Sequence, residues 1–333
     1  MITASKWFWN GLWNYTSRGF EKKKQHFNEN DLNQDISSKH FIITGGNNGL
    51  GFQTSLELAK LGGNVHILCR NQEKGEVAIN EIKDKSGSNK VHFHLCDVSM
   101  VSSIKSFVED WKKQDNPRID VLIHNAGVML PNREETSEGH EKTFATNLLG
   151  PFLLTKLLMC TDGEKAGNVG FDQAFKRVIF ISSGGMLTSK MTTDFEFKRF
   201  LTNPKLKWDG MKAYAETKRS LVYLTELFSE KYPSFNSYSM HPGWVDTTGV
   251  MNGMPLFYKM TKSQLRTLKQ GCDTIVWLAV SPTINDHSKF SGEFYEDRQI
   301  VNKYIHNSNT ESSQEDINTL WNYLNDIYSK NFQ

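Results

Sequence analysis

The 333-residue chain carries 39 Lys and Arg against 37 Asp and Glu, a net charge of +2, with 38% hydrophobic and 23% charged residues. That balance fits a globular protein of one large α/β domain or two ordinary ones, and it argues against nucleic acid, since no basic stripe is interleaved with stacking aromatics. No run approaches ~18 apolar residues, so no transmembrane helix is expected. The four cysteines, Cys69, Cys96, Cys160 and Cys272, show no CxxC or zinc-like spacing and read as reduced, mostly buried thiols of a cytoplasmic protein, with no metal site.

Residues 1–38 read as an arm. Trp7, Phe8, Trp9, Gly11, Leu12, Trp13 and Tyr15 are followed by Arg18 and by Lys22, Lys23 and Lys24, without the features of a signal peptide. Two readings stay open. The arm is either an interfacial segment, with indoles at headgroup level and lysines on anionic lipid, or a strap folded back with its tryptophans in a groove.

From Lys39 the pattern changes to alternating strands and helices. An apolar strand ending at Thr44 runs into Gly45-Gly46-Asn47-Asn48-Gly49-Leu50-Gly51, and Phe52 to Leu61 continues at helical spacing. Strand, glycine turn and helix in this order are what a dinucleotide's pyrophosphate requires: sharp turning, close backbone approach, and free N–H groups at a helix start. Further strands are expected at Val65–Arg70, Val91–Asp97, Asp120–Gly127, Lys176–Ser183, Phe235–Pro242 and Lys289–Tyr295. Helices fall near 72–86, 100–114, 138–160 and 212–231, with a last one from Glu315 to Tyr328. The expected architecture is α/β: a Rossmann-type, doubly wound, mostly parallel seven-stranded sheet with helices on both faces. It occupies residues 39–305, with a C-terminal extension over 306–333.

Tyr214-Ala-Glu-Thr-Lys218 sets a phenol and an ammonium four residues apart on one helix face. A nearby cation favours phenolate and would make the tyrosine a usable acid/base. With the glycine turn, Asp97 and Val98, Asn125-Ala126-Gly127, Asn147, Ser183, and Pro242-Gly243 followed by Val245 and Thr247, these residues occur in the order of the short-chain dehydrogenase/reductase family, which the chain resembles over nearly all of residues 39–300.

The resemblance implies an oxidoreductase interconverting a carbonyl and an alcohol. Tyr214 would move the proton. Lys218 would lower its pKa and hold the nicotinamide ribose, Ser183 would polarise the reacting oxygen, and Asn147 would anchor a proton-relaying water. Thr44 to Gly51 (with Gly45, Asn47, Asn48, Gly49 and Leu50), Asp97, Val98, Asn125 to Gly127, Pro242, Gly243, Val245 and Thr247 would bind the cofactor. In many members the helices near 138–160 and 212–231 pair between subunits, which makes a homodimer one option. A catalytically weak sensor or membrane-surface scaffold is the rival reading.

The second strand ends in Arg70-Asn71 where an acidic residue would repel a 2′-phosphate; arginine instead suits that phosphate, so the cofactor is expected to be NADP(H), bound in part by Arg70 and Asn71. Thirty-one positions separate Ser183 from Tyr214. The intervening Met186, Leu187, Met191, Phe195, Phe197, Phe200, Leu201 and Trp208 read either as a lid or wall of an apolar pocket, or as an excursion held down by its aromatics. Val250 to Met260 reads as a second methionine-rich wall, suited to a small lipophilic substrate, or equally as dimer surface or membrane contact.

Overall fold

In the computed structural model, which describes residues 2–115, 117–159 and 176–332, the elements follow in the expected alternation. Two helices open the chain, α1 (Ile2–Asn14) and α2 (Ser17–Lys24). Then come β1 (His40–Thr44), α3 (Gly49–Lys60), β2 (Asn64–Cys69), α4 (Gln72–Ser86), β3 (Val91–Leu95), α5 (Val101–Lys112) and β4 (Val121–His124). The middle runs through α6 (Lys142–Phe144), a π-helical turn at Ala145–Leu149, α7 (Gly150–Met159), β5 (Arg177–Ile181), α8 (Arg199–Thr202), α9 (Gly210–Lys231) and β6 (Asn236–Met240). The end comprises α10 (Thr248–Gly253), α11 (Pro255–Thr261), α12 (Leu268–Val280), α13 (His287–Phe290), β7 (Phe294–Glu296), β8 (Gln299–Ile300) and α14 (Gln314–Phe332). Cys69, Cys96 and Cys272 are buried and free, and Cys160 lies outside the described residues.

The strands form one sheet in the order β3-β2-β1-β4-β5-β6-β7-β8, parallel through β7. The central strands β4 and β5 are buried along their whole length and β1 nearly so, as a sheet covered on both faces demands. Ile42, Leu122, Val178 and Phe180 pack under α5, α7, α9 and α14 against Phe107, Phe152, Phe228 and Leu320. Ile43, Ile67, Ile123 and Ile179 pack on the other face against Leu58, Ile82 and Ile275 of α3, α4 and α12. Strand order reverses between β1 and β4, so the crevice beyond their carboxyl ends is where such a sheet binds its ligand.

The sheet has one strand more than expected. Tyr295 and Glu296 pair antiparallel with Ile300 and Gln299 through a two-residue turn, Asp297-Arg298, whose φ angles are +48° and +59°. That left-handed pair is a hairpin turn usually written with Asn and Gly. Here both side chains are anchored instead: Asp297 to Arg266, and Arg298 to Asp273 at 2.6 and 2.8 Å. The anchors offset the backbone strain.

The stretch between Ser183 and Tyr214 is tied to the domain rather than raised over it. Met186, Met191, Phe195 and Phe197 are buried in the two neighbouring clusters, and Trp208 donates to the Leu130 carbonyl at 3.0 Å. Its aromatics serve packing, as the held-down excursion expects, while Gly185, Thr188 and Met211 of the same stretch line the cleft, as the wall reading expects.

Across β1, β2 and β3, on the face under Trp111, His40, His66, His92 and His94 form a row. His40 Nδ1 lies 3.1 Å from His66 Nε2, and His66 Nδ1 lies 3.0 Å from His94 Nε2. Burial, reinforced by the neighbouring rings, holds His66 at about 2 and His94 at about 4, and it lowers His40 and His92 as well. The folded state therefore binds fewer protons than the unfolded chain below the ordinary imidazole value of about 6.5, so their stabilisation is complete above it and is lost as pH falls. The urea midpoint is expected to drop between about pH 6.5 and 4, with a shallower slope in His94→Gln; a flat profile would contradict this.

Candidate active site

The glycine turn is braced from β4. Thr44 Oγ1 accepts from the N–H groups of Asn125 and Ala126 at 3.0 Å, and Asn125 Nδ2 donates to the carbonyls of Thr44 and Gly45 at 3.0 and 3.3 Å. Gly51 sits so close behind that an added Cβ would lie 2.3 Å from the Gly45 carbonyl oxygen, so no larger residue fits. Gly45 and Gly49 hold φ of +65° and +56°, and the space beside Gly49 is open. Asn48 precedes α3 without capping it through its side chain, and the first intrahelical bond is Phe52 N–H to the Asn48 carbonyl. The N–H groups ahead of it remain for an anion.

This turn forms one side of a cleft of about 1200 Å³. Gly45, Asn47, Asn48, Gly49, Leu50, Arg70, Asn71, Asp97, Val98, Asn125, Ala126, Gly127, Ser183, Tyr214, Lys218, Pro242, Gly243, Val245 and Thr247 all line it. Thr44, Gly51 and Asn147, expected to touch cofactor or relay water, are not among the lining residues. Thr44 and Gly51 meet neighbouring backbone, and Asn147 meets the Val128 backbone and the Thr217 hydroxyl. The Asn147 amide sits in the π-turn, accepting from Val128 N–H at 2.8 Å and donating to the Val128 carbonyl and Thr217 Oγ1 at 2.9 and 3.1 Å. A π-bulge at such a point is typical of functional sites.

Arg70 is exposed at the cleft, and among the described residues no carboxylate pairs with it. Asn71 has a second duty, its side chain capping α4 through Lys74 N–H at 2.8 Å. Asp97 Oδ1 accepts from the Ser99 N–H and hydroxyl. An open glycine turn, free helix-start N–H groups and an unpaired guanidinium suit a dinucleotide phosphate donor set.

The chemical groups meet where β5 ends against α9. Ser182 Oγ donates to the Lys218 carbonyl and Lys218 Nζ to the Ile181 carbonyl, both at 2.7 Å. Ser183 and Tyr214 both line the cleft there, and Lys218 Nζ lies 5.5 Å from the Tyr214 ring. The sequence expectation that Lys218 lowers the phenol's pKa is not met. Burial raises Tyr214 above its ordinary value, with the Ser183 hydroxyl opposing, and burial brings Lys218 itself down to about 7. Gly127 leaves room for the ammonium, since a Cβ there would stand 3.1 Å from Lys218 Nζ.

Several lining residues escaped sequence reasoning. Lys74 adds a cation one turn beyond Arg70, although Glu73 and Glu81 of the same helix also line the cleft. His241 accepts from Gly184 N–H at 2.8 Å, holding the loop after Ser183, and its ring meets Tyr15 edge-on at 4.6 Å. Trp7 of α1 lines the cleft beside Trp244 and Phe257, at ring distances of 5.5 and 6.4 Å. The arm thus folds back on the domain, as one of the two readings expected, and contributes a wall.

Comparison with known proteins agrees with this geometry. The family model described as short chain dehydrogenase matches residues 39–188. Dehydrogenase/reductase SDR family member 12 of Bos taurus is 38% identical over 313 residues, covering 94% of this chain and 93% of that protein. Polyprenol dehydrogenase of Homo sapiens is 32% identical, covering 73% of each chain. Among solved structures, a short chain dehydrogenase of Shigella flexneri complexed with NADP superposes with a TM-score of 0.58 at 18% identity, over 80% of this chain and all of that one. The extent of these matches and the β5–α9 constellation lead to one assignment: the chain belongs to the short-chain dehydrogenase/reductase family of oxidoreductases.

Proposed function

We propose that the chain is an NADP(H)-dependent oxidoreductase that interconverts a lipophilic carbonyl and its alcohol, with Tyr214 as the proton-transferring group. The observation that carries this reading is the convergence of Ser183, Tyr214 and Lys218 in the same cleft as the glycine turn and Arg70. Residues 39–305 form the catalytic unit, and the segments before and after it are its extensions.

Tyr214 gives its proton to the substrate oxygen during reduction, and burial keeps the phenol protonated until that step. Ser183 donates to the same oxygen and stabilises the charge that develops on it. Lys218 lies behind the phenol with a pKa near 7, able to carry charge or release it. When bound, the nicotinamide supplies or accepts the hydride. The substrate end is walled by Met129, Val250, Met254, Phe257 and Trp7, with few charges to recognise a polar substrate. A relative named polyprenol dehydrogenase supports a lipophilic substrate.

Arg70 favours NADP(H) by reaching the 2′-phosphate with a charge-assisted pair, worth about 1.5–3 kcal/mol. Arg70→Ala is therefore expected to raise KM for NADPH roughly 10- to 100-fold while NADH changes by less than about threefold. Oxidation of NADPH and NADH over a panel of lipophilic aldehydes and ketones measures both quantities. Equal losses would remove the NADP(H) assignment, and tight NADPH binding without turnover on any substrate would replace the enzyme reading with the sensor.

A further inference from the structure

The helices that wall the cleft from inside present apolar side chains outward as well. On α1, Trp7 faces the cleft, whereas Trp9 and Trp13, a helical turn apart, are 62% and 71% exposed. On α11, Phe257 faces inward, whereas Leu256 and Met260 are 72% and 63% exposed. These four are the most exposed large apolar side chains among the described residues. The two helices touch through Trp7 and Phe257, so the outward pairs belong to neighbouring elements at one mouth.

Charge on this rim is mainly positive, with Asp246 beside Tyr258 of α11 as the carboxylate against it. Residues 1–20 contain no Asp or Glu, and neither do residues 247–272. Over the same spans Lys6, Arg18, Lys259, Lys262 and Lys269 are exposed. Tryptophan and aliphatic side chains set among an excess of cations are the composition of a surface that enters the headgroup region of an anionic bilayer. No helix among the described residues is long and apolar enough to cross a membrane, so such contact would be peripheral.

We propose that α1 and α10–α11 together form an anionic-lipid-binding rim around the mouth of the cleft, and that substrate enters from the lipid side past the Trp7–Phe257 contact. The contact with lipid stands on the rim alone; the passage of substrate rests on the lipophilic-carbonyl reading above.

Vesicle flotation of the full-length chain tests it. Binding is expected to phosphatidylcholine vesicles containing about a third phosphatidylserine, to weaken in high salt, and to be much weaker to phosphatidylcholine alone. Trp9→Ser/Trp13→Ser and Leu256→Ser/Met260→Ser should each reduce it about tenfold or more, given the apolar area removed. Both variants change exposed positions, so unaltered NADPH binding serves as the control for folding. The rim is overturned by failure of the full-length chain to float, by equal flotation of the variants, or by a dimer that these substitutions dissolve without any effect on vesicles. Turnover of a water-soluble aldehyde without vesicle binding would sink this inference and leave the proposed activity; vesicle binding without turnover of any carbonyl would do the reverse.

Discussion

Tyr214→Phe is expected to lower kcat roughly 100- to 10,000-fold while NADPH affinity stays within about threefold of the parent. The substitution removes one oxygen and keeps the ring. Lys218 Nζ is held by the Ile181 carbonyl, and Ser183 Oγ accepts from Gly185 N–H at 3.1 Å, so neither depends on the phenol for its position. Only the proton is lost. Stopped-flow measurement of NADPH oxidation, beside fluorescence titration of the cofactor, separates the two effects. Retained turnover in a folded variant would move the proton transfer to another group. The pH profile carries a second expectation. A phenol raised by burial stays protonated through neutral pH, whereas Lys218, at about 7, loses its charge just above it. The rate of carbonyl reduction should therefore be level below about pH 7 and decline above, as the nearby cation disappears.

The parts of this site legible in sequence are those in which chemistry depends on local spacing. A glycine turn between strand and helix, an arginine at a strand end and a Tyr–Lys pair on one helix turn each specify their geometry within a few residues. Whether a motif residue faces the ligand or the scaffold is a different matter. Thr44, Gly51 and Asn147 occupy their motif positions but serve neighbouring backbone, because that choice depends on β4, Gly45 and Val128 arriving from elsewhere in the chain. Apolar residues are more ambiguous still. Phe195 and Phe257 read alike in sequence, yet the first enters the core and the second lines the cleft. Trp7 reaches the site through contacts spanning more than two hundred residues, and His241 through Gly184, 57 residues away, both beyond any periodicity. The eighth strand was hidden because its turn is stabilised by distant ion pairs, rather than by the glycine that local rules seek.

Asp297→Ala is expected to cost about 3–5 kcal/mol and to loosen the arm and the cleft together. Arg266 is almost wholly buried, and its guanidinium meets both oxygens of Asp297 at 2.6 and 2.9 Å. The same group donates to the carbonyls of Asn14 at 2.7 Å and Pro242 at 3.2 Å, and it lies over the Phe20 ring at 5.3 Å. One cation thus joins the arm, the turn of β7–β8 and the loop that lines the cleft at Gly243. That loop packs so closely that a Cβ on Gly243 would lie 2.3 Å from Arg266 Nε. Removing Asp297 leaves a buried guanidinium with carbonyls and no carboxylate bonded to it, since nearby Glu296 is paired with Lys23. Arg266→Met is expected to cost less, because the stranded carboxylate keeps Lys23 at 3.2 Å. Thermal unfolding should rank the variants in that order, and limited proteolysis should cut Asp297→Ala faster within residues 1–38. KM for NADPH should rise in the same variant, through the released Pro242–Gly243 loop. A stability loss confined to the hairpin, with the arm protected and the cofactor bound as before, would show that the three elements are anchored independently.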